Sequence, residues 1–170
     1  MLYISKLSLT LRYKKHFRPM EFNSAYDKLT FEYDAFSDER GVLTIAGNTE
    51  GKCLPFEVQR VFWIHGVPAS CQRGMHAHRT CWEALSAVSG SFKVRVSNGM
   101  EPPVTFLLDN PQKGLLIPPM VWCELFDFSA DAVCLCLASG HYDQTGYISN
   151  YEDFLHEVSQ LQKSRNEAWK

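Results

Sequence analysis

The chain has 170 residues, 45% of them hydrophobic and 21% charged. That composition is globular and long enough for one sizeable core; it excludes a disordered chain and leaves two full domains cramped. A net charge of −2 offers no broad basic field, so nucleic acid is not an expected partner.

At the N-terminus, KLSLTLRY (6–13) alternates: Leu7, Leu9, Leu11 and Tyr13 share one face, with Ser8, Thr10 and Arg12 on the other. This predicts a strand, paired with the sheet or with a partner subunit. It lacks the long apolar region of a signal peptide. The basic cluster Arg12, Lys14, Lys15 and Arg18 reads as a solvated loop. Residues 14–40 are mixed and polar. GVLTIAG (41–47) and PFEVQRVFWI (55–64) read as strands. In the second, Phe56, Val58, Arg60, Phe62 and Ile64 share a face. An arginine among apolar neighbours needs a partner there.

Further along, SFKVRV (91–96) and MEPPVTFLL (100–108) flank Asn98-Gly99, a pair suited to the positive φ angles of a tight hairpin turn. GLLIPP (114–119), VWCELFDF (121–128) and AVCLCLA (132–138) supply more strands. The tail changes period. Asn150 is a good N-cap, Glu152 and Asp153 fall in the first turn, and Phe154, Val158 and Leu161 recur at helical spacing. A helix is predicted over about 151–166. Many short strands with turn signals between them predict an all-β sandwich or small barrel, a jelly roll being the natural candidate.

The six cysteines are Cys53, Cys71, Cys81, Cys123, Cys134 and Cys136. None forms a CxxC pair, and Cys134 and Cys136 read as small buried hydrophobes. No apolar run approaches the roughly 18 residues of a membrane span. The expectation is a cytoplasmic, reduced protein with no membrane partner.

The chemistry concentrates in RGMHAHRTCWEALSAVSG (73–90). His76 and His78 stand two apart, so on a strand they point to one side. Glu83 follows five residues after His78, and Gly90 seven after that. Three readings of these residues stand open. His76, His78, Glu83 and Cys123 are acceptable ligands for a divalent zinc or iron ion. Alternatively, the histidines move protons without metal, since imidazole has a free pKa of about 6.5. Finally, they are satisfied structural histidines of a β-barrel that binds without turnover.

The spacing G-x-HxH-x4-E-x6-G resembles the first motif of the cupin superfamily, small β-barrels of jelly-roll type. GLLIPPMVWCE (114–124) takes the place of the second motif, with Cys123 where a metal cupin carries histidine. The resemblance extends further. RGVLTIAG (40–47), PFEVQRVFWI (55–64), RGMHAHR (73–79), VSGSFKV (88–94), KGLLIPPMVWCELFDFS (113–129), CLASGHYD (136–143) and YISNYEDFL (147–155) occur in one order. Together they resemble the sugar 3,4-ketoisomerases of the WxcM-like cupin family.

That resemblance covers about residues 39–156. It implies a cupin-type jelly-roll β-barrel over 39–170, including the helix, with 1–38 as an N-terminal extension. It implies no metal, no cofactor, a homodimer with strands paired or exchanged, and a dTDP-linked keto-sugar substrate, dTDP-4-keto-6-deoxyglucose. The expected chemistry is histidine acid/base catalysis through an enediol or enediolate, giving a 3-keto-6-deoxy sugar for 3-amino sugar synthesis. His78 is expected as the main base, with His76 assisting on the hydroxyl or oxyanion. Arg60 and Arg73 are expected at the diphosphate or oxyanion, a guanidinium fork suiting either. Glu83 is expected to orient a histidine or bind a sugar hydroxyl. Trp63, Trp122 and Cys123 complete the expected substrate contacts. The chain departs from the family at Phe62 and Trp63, where tyrosines are common, at Cys123, where histidine or arginine is common, and at Arg79, commonly lysine. Tyr142 and Tyr147 are the candidates to replace the absent tyrosine hydroxyl.

Overall fold

The structure is a computed structural model that describes residues 26, 28–47 and 54–167. The expected strand at Leu7–Tyr13 lies outside the described residues. The strands are β1 (Thr30–Glu32), β2 (Asp34–Asp38), β3 (Gly41–Ile45), β4 (Arg60–His65), β5 (Arg73–His78) and β6 (Glu83–Ser89). They continue as β7 (Phe92–Ser97), β8 (Val104–Leu108), β9 (Lys113–Ile117), β10 (Trp122–Phe126), β11 (Val133–Ala138) and β12 (Tyr147–Ile148). A 3₁₀ turn at Gln144–Gly146 precedes β12, and one helix, α1 (Tyr151–Glu167), closes the described chain.

Two five-stranded sheets face each other, ordered β1-β9-β6-β11-β4 and β12-β5-β10-β7-β8; β2 and β3 form a separate hairpin. Every pairing is antiparallel. This is the all-β jelly-roll arrangement expected, with its single C-terminal helix among the described residues. Alternation decides which side chains enter the core. Phe92, Val94 and Val96 of β7 meet Leu115, Ile117, Leu125, Cys134 and Cys136 between the sheets. Leu135 and Leu137, which alternate with Cys134 and Cys136, turn outward to a smaller cluster with Tyr33, Leu54 and Leu116. The two sulfurs of β11 are indeed small buried hydrophobes.

The helix matches its expectation closely. The Asn150 side-chain oxygen accepts from the N–H groups of Glu152 and Asp153, at 2.8 and 3.1 Å, a two-fold N-cap. Phe154 and Val158 pack on Ala77, Trp122 and Ile148, on the outer face of the second sheet. Leu161, the third member of the apolar stripe, is exposed.

Three local expectations change. β4 starts at Arg60 rather than at residue 55; Pro55 has no N–H to give a ladder. The β7–β8 connection runs from 98 to 103 rather than turning tightly at Asn98-Gly99. There the Asn98 side-chain oxygen accepts from the N–H groups of Met100 and Glu101, an Asx turn, and Pro102 and Pro103 delay the next strand. The polar stretch before residue 40 contributes β1 to the first sheet and β2 to the hairpin. Gly114 makes room for β1: a Cβ there would stand 2.3 Å from the Phe31 ring.

Candidate active site

The backbone that aims the histidines is irregular. Gly74 and Met75 both have positive φ, 76° and 58°. The β5–β10 register jumps here, so that His76 faces Cys123 while Gly74 faces Glu124. This is a β-bulge, which bends a strand and redirects its side chains. Glycine is required at 74, because a Cβ would lie 2.7 Å from the Cys123 carbonyl oxygen. Beyond the bulge, His76 and His78 point inward and Ala77 points to the helix.

Four strand ends deliver polar groups to one place. Arg60 opens β4, Glu83 opens β6, His78 closes β5 and Tyr147 opens β12. His78 and Glu83 are 5% and 6% exposed. His78 Nε2 lies 3.1 Å from Glu83 Oε1, and Arg60 Nη2 lies 3.5 Å from the same oxygen. The imidazole distance is that of a hydrogen bond but its direction is not, so the contact acts as a close electrostatic pair. Arg60 thus has the partner its apolar strand face demanded, and its guanidinium also lies over the rings of Phe62 and Tyr142, at 5.1 and 5.8 Å. Its Nε, buried, donates to no described group.

The Tyr147 ring packs on both histidines, with centroids 4.4 Å from His78 and 4.8 Å from His76. The two imidazoles meet edge to face at 4.9 Å. Arg79 holds this wall in place. Its Nη1 donates to the carbonyls of Thr145 and Tyr147, at 2.7 and 2.9 Å, and its other nitrogens reach the Glu157 carboxylate of α1.

Burial pushes the His76 imidazole below its ordinary pKa, with the His78 and Arg60 charges adding to it, against a hydrogen bond at the Gly74 backbone. Burial would by itself raise the Glu83 carboxyl; His78, His76 and Arg60 outweigh it and hold Glu83 below the usual carboxylate range. Glu83 is therefore an anion flanked by cationic or dipolar partners. Burial, reinforced by Glu83, drives the Cys123 thiol well up, so it stays neutral.

A cavity of about 300 Å³ opens onto this cluster, lined by Arg60, His78, Cys81, Ser139, His141 and Tyr147 among others. His78 lines it, and His76, partly exposed, packs against Tyr147 and His78 without lining it. Cys123 is buried in the inter-sheet core beside His76. The other expected contacts are elsewhere. Trp63 is 63% exposed on the outer face of β4. Trp122 is buried under the helix, where its ring N–H donates to Glu124. Arg73 is exposed at the far end of β5. Tyr147 was a candidate to replace the absent tyrosine hydroxyl; the cavity residues not anticipated are Thr80 and Cys81 and the rest of the lining from the run SGHYDQTGY (139–147). Its density of polar and aromatic residues after the last long strand is the signal that pointed there.

His76, His78 and Glu83 also offer ligand atoms within 4.8 Å of one another, a set able to hold a divalent ion. A metal on Glu83 would compete with the Arg60 guanidinium for the same oxygen.

A two-sheet β fold with a histidine–glutamate–arginine cluster at one rim places the chain among cupin-like proteins. The family model described as "FdtA: WxcM-like, C-terminal" matches residues 27–159, and the chain belongs to that family. It is 37% identical over 125 residues to the TDP-4-oxo-6-deoxy-alpha-D-glucose-3,4-oxoisomerase of Aneurinibacillus thermoaerophilus, covering 73% of this chain and 87% of that one. A 3,4-ketoisomerase from Helicobacter canadensis superposes with a TM-score of 0.73 at 32% identity, over 79% of this chain and 98% of its own. The 3,4-ketoisomerase QdtA from Thermoanaerobacterium thermosaccharolyticum, solved as a mutant with TDP-4-keto-6-deoxyglucose, superposes at 0.72 with 34% identity, over 77% and 93%.

Proposed function

We propose that this protein is an isomerase that converts TDP-4-keto-6-deoxyglucose to a TDP-3-keto-6-deoxyhexose. The observation that carries the reading is a buried imidazole, His78, beside an ionised Glu83 and facing a cavity that also presents Arg60. Moving a carbonyl from C4 to C3 requires a base for the C3 proton and an acid that returns a proton at C4. One imidazole with access to both carbons does both. His78 fills that role, with the Glu83 carboxylate 3.1 Å from its Nε2. Arg60 stabilises the enediolate oxygen. His76, held neutral, supports the His78 ring. The chemistry needs no cofactor and no metal.

The pair of exposed apolar surfaces supports a homodimer. Phe36, Leu43 and Ile45 share one face of the β2–β3 hairpin, and Val61 and Trp63 stand on the outer face of β4; contiguous exposed apolar groups mark interfaces. No helix of the described residues is long and apolar enough to cross a membrane. Cys71, Cys81, Cys123, Cys134 and Cys136 are free thiols, in keeping with a reducing, cytoplasmic setting.

A proton NMR time course in deuterated buffer with TDP-4-keto-6-deoxyglucose, with and without a chelator, tests the reading. A 3-keto product is expected at the same rate with chelator, its C4 carrying deuterium in the measure that the proton on His78 exchanges with solvent before delivery, and the C4–H coupling of the protonated fraction names the epimer. Binding with no conversion would sink the proposal in favour of a sugar-nucleotide-binding protein. Loss of rate with chelator would return Glu83 and the histidines to the role of metal ligands.

A further inference from the structure

Isomerisation relocates two protons. One leaves C3 and arrives at C4; the other leaves the C3 hydroxyl and arrives at the C4 oxygen. A base that serves the carbons stands over the face of the sugar that bears the C3 proton, whereas the two oxygens lie around the ring edge. A second group is needed there, one that can give and take a proton without net change.

Resting on the ketoisomerase reading, we propose that Tyr147 is a catalytic residue that carries the oxygen-side proton. Its ring lies 4.4 Å from the His78 ring and lines the same cavity. His76, the other candidate, is partly exposed and is not among the residues that line this cavity. The remaining hydroxyls are less apt. Ser139 Oγ is occupied by the Trp82 N–H at 2.8 Å and by the Cys81 thiol at 3.7 Å. Thr80 and His141 are exposed at the rim. Tyr147 is also held from behind: its carbonyl accepts from Arg79, and β12 pairs it directly with His78. The donor and the base are thus fixed to one another by backbone, a geometry that proton transfer rewards.

The step balances. The C3–H bond breaks and His78 takes the proton. The C3=C4 bond forms, the carbonyl π pair moves to the C4 oxygen, and that oxygen takes the phenol proton. The phenolate takes the proton of the C3 hydroxyl, whose oxygen pair forms the new C3 carbonyl. The enediol π pair then takes the proton from His78 at C4. Both side chains end as they began. Burial keeps the phenol protonated at rest, and the Arg60 charge opposes that and eases its transient loss.

The test is Tyr147→Phe, which keeps the ring packing and removes one oxygen. In deuterated buffer with TDP-4-keto-6-deoxyglucose, the variant is expected to wash deuterium into C3 of recovered substrate while forming 3-keto product at least tenfold more slowly. Tyr151→Phe, which removes a hydroxyl that meets Ser97 outside this cavity, is assayed beside it and is expected to keep product formation within a few-fold of the native rate. Near-native product formation by Tyr147→Phe, or loss of C3 exchange together with turnover, would overturn the assignment. So would a loss in Tyr151→Phe equal to that expected of Tyr147→Phe. Native protein that forms no 3-keto product would fail the ketoisomerase reading itself, a distinct result seen before any variant is compared.

Discussion

The middles of the strands and one set of their ends do different work. On β6, Leu85 and Ala87 are core, while Glu83 at its start is an ion. On β11, Cys134 and Cys136 are sealed in the core, and Ser139, one residue past the strand, lines the cavity. On β5 the switch is sharpest, because a bulge at Gly74-Met75 intervenes before His76 and His78. A polar group in the middle would lose water on every side. At the rim, Glu83 and His78 are buried enough to interact strongly and still border an open cavity. The fold thus places ionised chemistry where burial is deep but one-sided.

Substitutions at the two places should therefore separate activity from stability. His78→Asn, at the rim, should lower turnover by about 10²- to 10⁴-fold and leave TDP affinity and the unfolding midpoint nearly unchanged. Kinetics, calorimetry and thermal melts on one preparation check this, and a near-normal rate would remove His78 from the mechanism. Phe92→Ala, in the middle, should do the reverse. Phe92 is fully buried and stacks on Phe128 at 5.2 Å. Its truncation should cost about 3–5 kcal/mol of stability, with kcat per folded molecule retained. A denaturant titration reads the first and active-site-normalised kinetics the second.

Arg79→Ala lies between these extremes. It unties the 144–147 wall from α1 without touching the core. The expected result is a KM about three- to tenfold higher, the scale of one or two net hydrogen bonds, and a small drop in unfolding midpoint. A large loss of kcat with unchanged KM would mean that the wall acts on the reacting atoms rather than on substrate fit.

This division also explains what could be read from the sequence. Alternation fixed the inward face of β4, so an arginine there announced a buried partner, and Glu83 is that partner. The HxH spacing put two imidazoles on one side. Alternation did not say which outward aromatic is covered: Trp122 and Trp63 both point out of the sheets, but helix α1 lies on the first, and the second is exposed. Tyr147 belongs to a two-residue strand. No periodicity marks so short an element, and its place comes from distant contacts to Arg79 and β5. Of the β2–β3 hairpin, β3 was expected from GVLTIAG (41–47), whereas β2 was hidden because Asp34, Ser37 and Asp38 made it read as loop.

The finest distinction is between the two histidines, and pH reads it. The folded state depresses the His76 pKa through burial, so below about 6.5, the ordinary imidazole value, the unfolded chain binds a proton that the native chain resists. Stability tied to His76 is then fully present above pH 6.5 and falls as the pH drops toward the depressed folded value. Glu83, also depressed, contributes in a lower window: its share is present above its unfolded value of 4.5 and lost as the pH falls through the folded one. Urea midpoints measured at pH 7.5, 6.5 and 5.5 should therefore decline for the native protein across the His76 window. In His76→Asn that decline should be shallower. Parallel declines would mean that His76 titrates alike in the folded and unfolded chains.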